Sequence, residues 1–174
     1  AMATVVKDAG DDPDVTHQAH IQATVSLNKE QNRENMDIRG GQGVGVVTKP
    51  GLAVEIGQAA INPQPKKQIK NTLQETLDFL GLDPAVSVTV SIKNGENLAK
   101  KTMNPRLGIK GGVSILGTRG TVRPYSRSSY RATITSGLDV ARASGIREVA
   151  LSTGGRSENM LKQCLPSLPE AAFV

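Results

Sequence analysis

The chain has 174 residues, enough for one ordinary domain or two small ones, and a formal net charge of +5. Hydrophobic residues make up 37% and charged residues 21%, which predicts a folded core and argues against a disordered chain. Cys164 is the single cysteine, which excludes an internal disulfide framework and a cysteine-rich zinc site. With no long apolar run and no signal-peptide pattern, we expect a cytoplasmic protein that does not enter a membrane.

The basic charge balance predicts an anionic partner. Nucleic acid is one candidate, but proteins that bind single strands usually stack the bases on aromatic side chains, and only 2% of these residues are aromatic. A small polyanionic ligand fits the composition as well or better.

In chain order, the first half predicts short strands around one long helix. The runs 4–7, 21–27 and 43–48 are β-like, and the polar run 28–35 between them predicts a loop. Proline at Pro63 and Pro65 suits a first helical turn, and Gly81 suits the helix end. The predicted apolar face of this helix consists of Ile69, Leu73, Leu77 and Leu80.

The second half alternates strands and helices. We predict strands at 86–92, 113–116 and 148–152, and helices at 96–101, 128–144 and 158–165. The helix at 128–144 has a predicted apolar face of Tyr130, Ile134, Leu138 and Ala141. Strand, helix, strand, helix favours a parallel sheet, whereas the hairpin-rich first half favours an α+β arrangement.

A basic, glycine-rich segment is the clearest chemical signal. Eight basic residues and no acidic residue lie between Glu96 and Asp139, and the eight are Lys100, Lys101, Arg106, Lys110, Arg119, Arg123, Arg127 and Arg131. Five glycines lie between Lys100 and Arg131, so both side chains and backbone N–H groups are available to an anion. We favour anion binding over a merely solvated surface, because loop glycines are poor surface filler.

An acidic turn near the start of the chain is the second signal. It contains Asp8, Asp11, Asp12, Asp14 and His17. Such a loop suits a cation, ribose hydroxyls or an acid–base role, and it lacks the spacing of a calcium loop. Turn formation explains the same residues equally well, so both interpretations stand.

Two further glycine loops are candidates. The run 40–45 resembles a nucleotide loop, but Val46 occupies the position of the last fingerprint glycine, so we favour a bulge or turn. The run 152–157 follows a predicted strand and precedes a helix, where an anion site and an ordinary loop capped by Ser157 are both open. We expect Cys164 to be buried and structural.

Five ordered motifs together resemble the cobalt-precorrin-5B (C1)-methyltransferases. They lie at 7–16, 43–52, 60–63, 104–124 and 153–158, and the resemblance covers nearly the whole chain. It implies methyl transfer from S-adenosylmethionine to ring carbon 1 of cobalt-precorrin-5B, giving cobalt-precorrin-6A. Cobalt would arrive inside the tetrapyrrole substrate, so no protein metal site is expected.

The resemblance also implies a two-part fold. We expect an α+β domain over 1–124, incomplete at its N-terminus, followed by the truncated beginning of a Rossmann-like α/β domain over 125–174. Family members begin with a Thr-Thr-Gly segment and a small-residue helix, which this chain lacks, and they continue past a segment like 166–174. The sequence makes no prediction of oligomeric state.

The hypothesis for the site combines the charge pattern with the resemblance. Corrinoid precursors carry many carboxylates, and the methyl donor is a sulfonium cation. We therefore expect substrate carboxylates on Arg106, Arg119 and Arg123. We expect the acidic turn (Asp8, Asp11, Asp12 or Asp14, with His17 as a weaker candidate) to face the donor or transfer protons. The donor site would be lined by Thr153, Gly154, Gly155 and Arg156.

Two rival functions remain at this stage. A nucleic-acid-binding module is supported by the charge alone. A Rossmann-type oxidoreductase fragment would need a glycine fingerprint and an acidic residue after the second strand, and the sequence has neither.

Overall fold

The computed structural model describes residues 1–27, 36–82, 85–117 and 120–174. The predicted loop at 28–35 and the candidate substrate ligand Arg119 lie outside these residues. The strands are β1 (Met2–Val6), β2 (His20–Leu27), β3 (Asp37–Gly40), β4 (Gly43–Val44), β5 (Val46–Val47), β6 (Val86–Ile92), β7 (Ile109–Lys110) and β8 (Gly112–Val113). The helices are α1 (Pro63–Leu80), α2 (Gly95–Ala99), α3 (Arg127–Ala143) and α4 (Gly155–Cys164), and a 3-10 helix spans Glu170–Ala172.

The main sheet has four strands in the order β1-β2-β6-β3. β2 pairs antiparallel with both β1 and β6, whereas β3 pairs parallel with β6. Strand β6 alternates strictly, and its buried side chains are Val86, Val88, Val90 and Ile92. Three of these form one core cluster with Ile61, Val44 and Val113, which confirms the alternation seen in the sequence.

Helix α1 covers the core cluster and has the predicted ends. Prolines occupy its first turn, and Gly81 ends it with a left-handed φ of 63°. Ile69 and Leu73 pack against the core cluster, and Leu77 is buried. Leu80 is 56% exposed, so its predicted place on the apolar face is wrong.

The run 43–48 does not form one continuous strand, because it is divided into two short strands that pair with different partners. β4 pairs parallel with β8, while β5 pairs antiparallel with β7. The backbones meet so closely that a Cβ on Gly95 would lie 2.1 Å from the Gly43 carbonyl oxygen, and one on Gly112 would lie 2.2 Å from the same atom. These glycines therefore serve close packing, in line with the structural interpretation favoured over a nucleotide loop.

Helix α3 buries only part of the face predicted for it, since Ala141 is buried and Ile134 half-buried. Ser126 caps its start by accepting a hydrogen bond from the Ser129 N–H. Gly137, Val140 and Ala141 are buried, whereas Tyr130 is 58% and Leu138 37% exposed. The reason is tertiary: Val174 packs on Gly137, and the turn at Gly51 approaches the backbone of Asp139 and Val140.

The predicted strand at 148–152 is reduced to one parallel bridge between Ala150 and Phe173. Three backbone hydrogen bonds of 2.8–2.9 Å support it, namely Ala150 N to Ala172 O, Val174 N to Ala150 O and Ser152 N to Val174 O. Helix α4 lies between the paired segments and begins at Gly155, earlier than predicted. Over the described residues the architecture is a mixed α/β fold of small sheets and four α-helices.

Candidate functional site

The acidic turn joins β1 to β2 and is folded around an internal cation. Lys7 Nζ donates to Asp14 Oδ2 at 2.5 Å and to Thr16 Oγ1 at 2.6 Å. Asp14 Oδ1 also accepts the Thr16 N–H at 2.7 Å and the Thr16 hydroxyl at 2.6 Å. Burial would raise the pKa of Asp14, but the hydrogen bonds from Lys7 and Thr16 outweigh it and hold the pKa below its usual value. Asp14 is therefore ionised and stabilises the turn through these hydrogen bonds.

Asp8 and His17 lie together at the other side of the turn. Asp8 Oδ1 accepts the Gly10 N–H at 2.9 Å, and His17 Nδ1 accepts the Ala9 N–H at 3.1 Å. The Asp8 side chain is 82% exposed and its Oδ1 lies 3.8 Å from His17 Nδ1. Asp8 and the neighbouring Asp11 are exposed and can reach a ligand.

Asp12 connects the acidic turn to the basic segment. Its Oδ1 accepts the Tyr125 N–H at 3.0 Å, across 113 residues of sequence. Arg123 stands two residues before Tyr125 and is exposed. The structure thus brings the acidic turn into contact with the backbone of the basic segment at Tyr125.

Arg106 occupies a different place from Arg123. Its side chain is only 20% exposed, and its guanidinium donates to Glu158, to Glu170 at 3.1 Å and to the Phe173 carbonyl at 3.4 Å. A substrate carboxylate would compete with Glu158 and Glu170 for this guanidinium. In this arrangement Arg106 fastens the 104–109 motif to α4 and the end of the chain.

Lys162 completes a cluster of two cations and two carboxylates. Its Nζ lies 3.0 Å from Glu158 Oε1 and 2.9 Å from Glu170 Oε1, and 5.6 Å from the centre of the Phe173 ring. The hydrogen bond to Glu170 is the main reason that the pKa of Lys162 is raised. Burial opposes ionisation of Glu158, yet the hydrogen bonds from Arg106 and Lys162 leave its pKa below the usual value.

Sequence reasoning missed the role of Glu158, Lys162 and Glu170. The i,i+4 spacing of Glu158 and Lys162 on one helix was a usable signal, because such pairs meet on a helix surface. The third and fourth members come from outside α4, and no local pattern indicates them.

The loop before α4 is open. Thr153, Gly154, Gly155 and Arg156 are all exposed, and a Cβ on either glycine would meet nothing within 4 Å. Gly154 is the N-cap residue, and its carbonyl accepts the Glu158 N–H at 3.0 Å and the Ser157 hydroxyl at 2.9 Å. The predicted cap role of Ser157 is therefore wrong. First-turn N–H groups of a helix lack intrahelical partners, which leaves them available to an anion.

The candidate residues thus form two groups. Asp12 contacts Tyr125, two residues after Arg123, while Arg106 lies with α4, whose first turn carries the 153–156 loop. A cleft of about 320 Å³ lies elsewhere, at the start of α1, and is lined by Val54, Gln58, Ile61 and Lys66 among others.

The remaining expectations concern Cys164, metals and membranes. Cys164 is exposed, so its predicted burial is wrong. Within the described ranges, the His, Cys, Asp and Glu residues form no group of three that suits a metal ion. No helix in the described part of the chain combines the length and apolarity needed to cross a bilayer.

The fold and the charged loops define a mixed α/β chain that exposes acidic side chains in one loop and basic side chains in others. The CbiD family model matches residues 1–124, and the chain belongs to this family.

Curated relatives match over the full chain. The chain is 54% identical over 174 residues to the "Cobalt-precorrin-5B C(1)-methyltransferase" of Geobacillus kaustophilus, covering 100% of this chain and 46% of that protein. It is 51% identical to the protein of the same name from Thermus thermophilus, covering 99% of this chain and 44% of that protein. The chain therefore spans about half the length of the curated relatives it matches.

A crystal structure is also similar. The cobalamin biosynthesis protein CbiD from Archaeoglobus fulgidus superposes with a TM-score of 0.57 at 28% identity, covering 95% of this chain and 51% of that one.

Proposed function

We propose that the chain takes part in S-adenosylmethionine-dependent methylation of ring carbon 1 of cobalt-precorrin-5B, giving cobalt-precorrin-6A, in the cytoplasm. The observation that supports this most directly is 54% identity along its whole length to a curated protein named for that reaction. Cobalt belongs to the substrate, and no resident metal is required. A tetrapyrrole of many carboxylates also suits the net charge of +5 better than nucleic acid suits a chain that is 2% aromatic.

We assign the substrate side to the region of Arg123. This side chain is exposed two residues before Tyr125, whose N–H contacts the acidic turn, and guanidinium groups bind carboxylates through paired hydrogen bonds. Arg119 keeps its proposed place as a second carboxylate ligand, although it lies outside the described residues. For Arg106 we propose an indirect role, because Glu158 and Glu170 already occupy its guanidinium.

We assign acid–base chemistry and contact with the sulfonium charge to the exposed carboxylates Asp8 and Asp11, with His17 next to Asp8. Asp14 contributes by holding the turn, since its oxygens are bound by Lys7 and Thr16. Methyl transfer needs an in-line approach of carbon and sulfonium, so positioning by these groups would supply much of the rate.

We assign the donor to the loop formed by Thr153, Gly154, Gly155 and Arg156. The exposed first turn of α4 offers N–H groups for a carboxylate such as that of the methionine moiety. We also propose that residues 1–124 form an α+β domain and that 125–174 begin a Rossmann-like one. The parallel pairing of Ala150 with Phe173 on either side of α4 supports this division.

Two measurements test the proposal. S-adenosylhomocysteine should bind the 174-residue chain in titration calorimetry, and Arg156→Ala should weaken that binding. Incubation with S-adenosylmethionine and cobalt-precorrin-5B should add the mass of one methyl group to the tetrapyrrole. A folded chain that binds neither compound would contradict the assignment of both sites to these residues, and salt-sensitive binding of DNA in a gel shift would favour the rival function instead.

A further inference from the structure

Tyr125 is an exposed aromatic side chain on an unusual piece of backbone. Its φ of 51° lies in the left-handed region, which non-glycine residues rarely adopt. Tyr125 is 76% exposed, although the protein has only two Tyr, two Phe and no Trp. A strained conformation persists only where surrounding contacts impose it, and such positions cluster at functional sites.

Asp12 contacts the backbone of this residue. Its Oδ1 accepts the Tyr125 N–H at 3.0 Å, and the two residues are far apart in sequence. No salt bridge joins Asp12 to a cation within the described ranges, in contrast to Asp14 with its Lys7 partner. Asp12 therefore acts in this structure as a hydrogen-bond acceptor, and its negative charge pairs with no cation of the described residues.

Tyr125 and Arg123 together offer the two kinds of side chain that suit binding of a carboxylate-bearing macrocycle. An aromatic ring contacts the face of a conjugated tetrapyrrole, and a guanidinium two residues away binds a carboxylate at its edge. Both side chains are exposed on the segment that Asp12 holds.

We propose that Tyr125 contacts the macrocycle face of the tetrapyrrole and that Asp12 is a positioning residue acting through the Tyr125 backbone. This inference rests on the proposed function, and it moves Asp12 from the catalytic candidates to the residues that shape the substrate site.

Binding of uroporphyrin, an aromatic tetrapyrrole with acetate and propionate side chains, tests the contact. A Tyr130→Phe background leaves Tyr125 as the one fluorescent tyrosine, since the chain has two Tyr and no Trp. Uroporphyrin should quench this fluorescence saturably, with free N-acetyltyrosinamide as the correction for absorbed light. Affinity read from the porphyrin absorbance should fall about tenfold in Tyr125→Asn and stay within about twofold in Tyr125→Phe. Asparagine tolerates the left-handed backbone, so the variant removes the ring alone.

The paired variants Asp12→Asn and Asp12→Ala test the positioning role. Asparagine keeps the acceptor and loses the charge, so Asp12→Asn should bind uroporphyrin within about twofold of the parent. Asp12→Ala loses the acceptor and should bind about fivefold more weakly. Equal weakening in both variants would mean that the charge matters and would overturn the positioning role. Circular dichroism checks that each variant is folded.

The outcomes separate this inference from the proposed function. Absence of uroporphyrin binding by the parent, or unchanged affinity in Tyr125→Asn, overturns the Tyr125 contact even if S-adenosylhomocysteine still binds. A requirement for the Tyr125 ring without any methyl transfer to cobalt-precorrin-5B would uphold the contact and count against the proposed reaction.

Discussion

The chain has two groups of glycines that are alike in sequence and opposite in structure. Around Gly43, Gly95 and Gly112, backbone atoms lie where side chains would be, and a Cβ on Gly43 would come within 2.0 Å of the Ile92 carbonyl oxygen. Around Gly154 and Gly155 the space is empty. The first group lets three segments cross, whereas the second leaves backbone exposed to solvent before a helix. A glycine cluster therefore indicates a ligand loop only where no other backbone fills the space that the missing side chain leaves.

The largest expected effect is that of Gly43→Ala. Its φ of 76° disfavours alanine, and the new Cβ would collide with the Ile92 carbonyl. Left-handed backbone and overpacking together should cost about 3–5 kcal/mol, a large share of the total stability of an ordinary domain. Urea unfolding followed by circular dichroism measures the change.

Gly57→Ala is the matched control for Gly43→Ala. Its φ is 86°, similar to that of Gly43, but nothing lies within 4 Å of the added Cβ. It should lose only the backbone contribution of about 1–2 kcal/mol. Equal losses in both variants would show that the crossing does not depend on close packing.

The next effect concerns the anchor of the open loop. Arg106→Ala removes the guanidinium between Glu158 and Glu170, leaving the largely buried Glu158 carboxylate short of a partner, and should destabilise the protein by about 2–3 kcal/mol. Hydrogen exchange should speed up in α4 and at the 150–174 pairing more than in β6. Arg106→Lys should recover only part of the loss, because an ammonium cannot make the forked contacts.

Uniform acceleration of exchange across β6 and α4 in Arg106→Ala would contradict the local role. It would mean that the charge cluster supports the whole fold and is not a fastening of the helix that carries the open loop.

Acidification should weaken both the ion pairs of Arg106 with α4 and the acidic turn. The folded-state pKa values of Glu158 and Asp14 are both below their ordinary values of 4.5 and 3.8. A lowered carboxyl pKa contributes stability that is complete above the unfolded value and is lost as the pH falls through the folded one. The melting temperature should therefore drop as the pH falls below about 4.5, and Glu158→Gln should flatten this dependence. An unchanged slope in that variant would remove Glu158 from the account.

Local patterns predicted what local forces determine. The alternation of β6, the prolines that begin α1 and the end of α1 at Gly81 could all be predicted, because each depends on neighbours in sequence. The burial of Gly137 and Val140 on α3 was not predicted, because Val174 and Gly51 contact them from distant parts of the chain.

The candidate site divides along the same line. The charged segments themselves were evident, but the partners of Arg106 lie 52 and 64 residues away. The contact between Asp12 and Tyr125 spans 113 residues. The spacing of residues within a motif does not indicate such long-range contacts. The sequence alone therefore predicted the same role for Arg106 and Arg123.

The smallest effect on stability, and the sharpest test of the comparison, is that of Gly155→Ala. The added Cβ meets nothing within 4 Å and the backbone is not left-handed, so the free energy of unfolding should change by no more than about 0.5 kcal/mol. If the donor approaches this backbone, the methyl group should weaken S-adenosylhomocysteine binding about tenfold, or about 1.4 kcal/mol, in calorimetry. Gly145→Ala lies outside the loop and should leave the affinity unchanged. Full affinity in a stable Gly155→Ala protein would mean that the loop is open because nothing binds there, and the donor would have to be sought at the acidic turn.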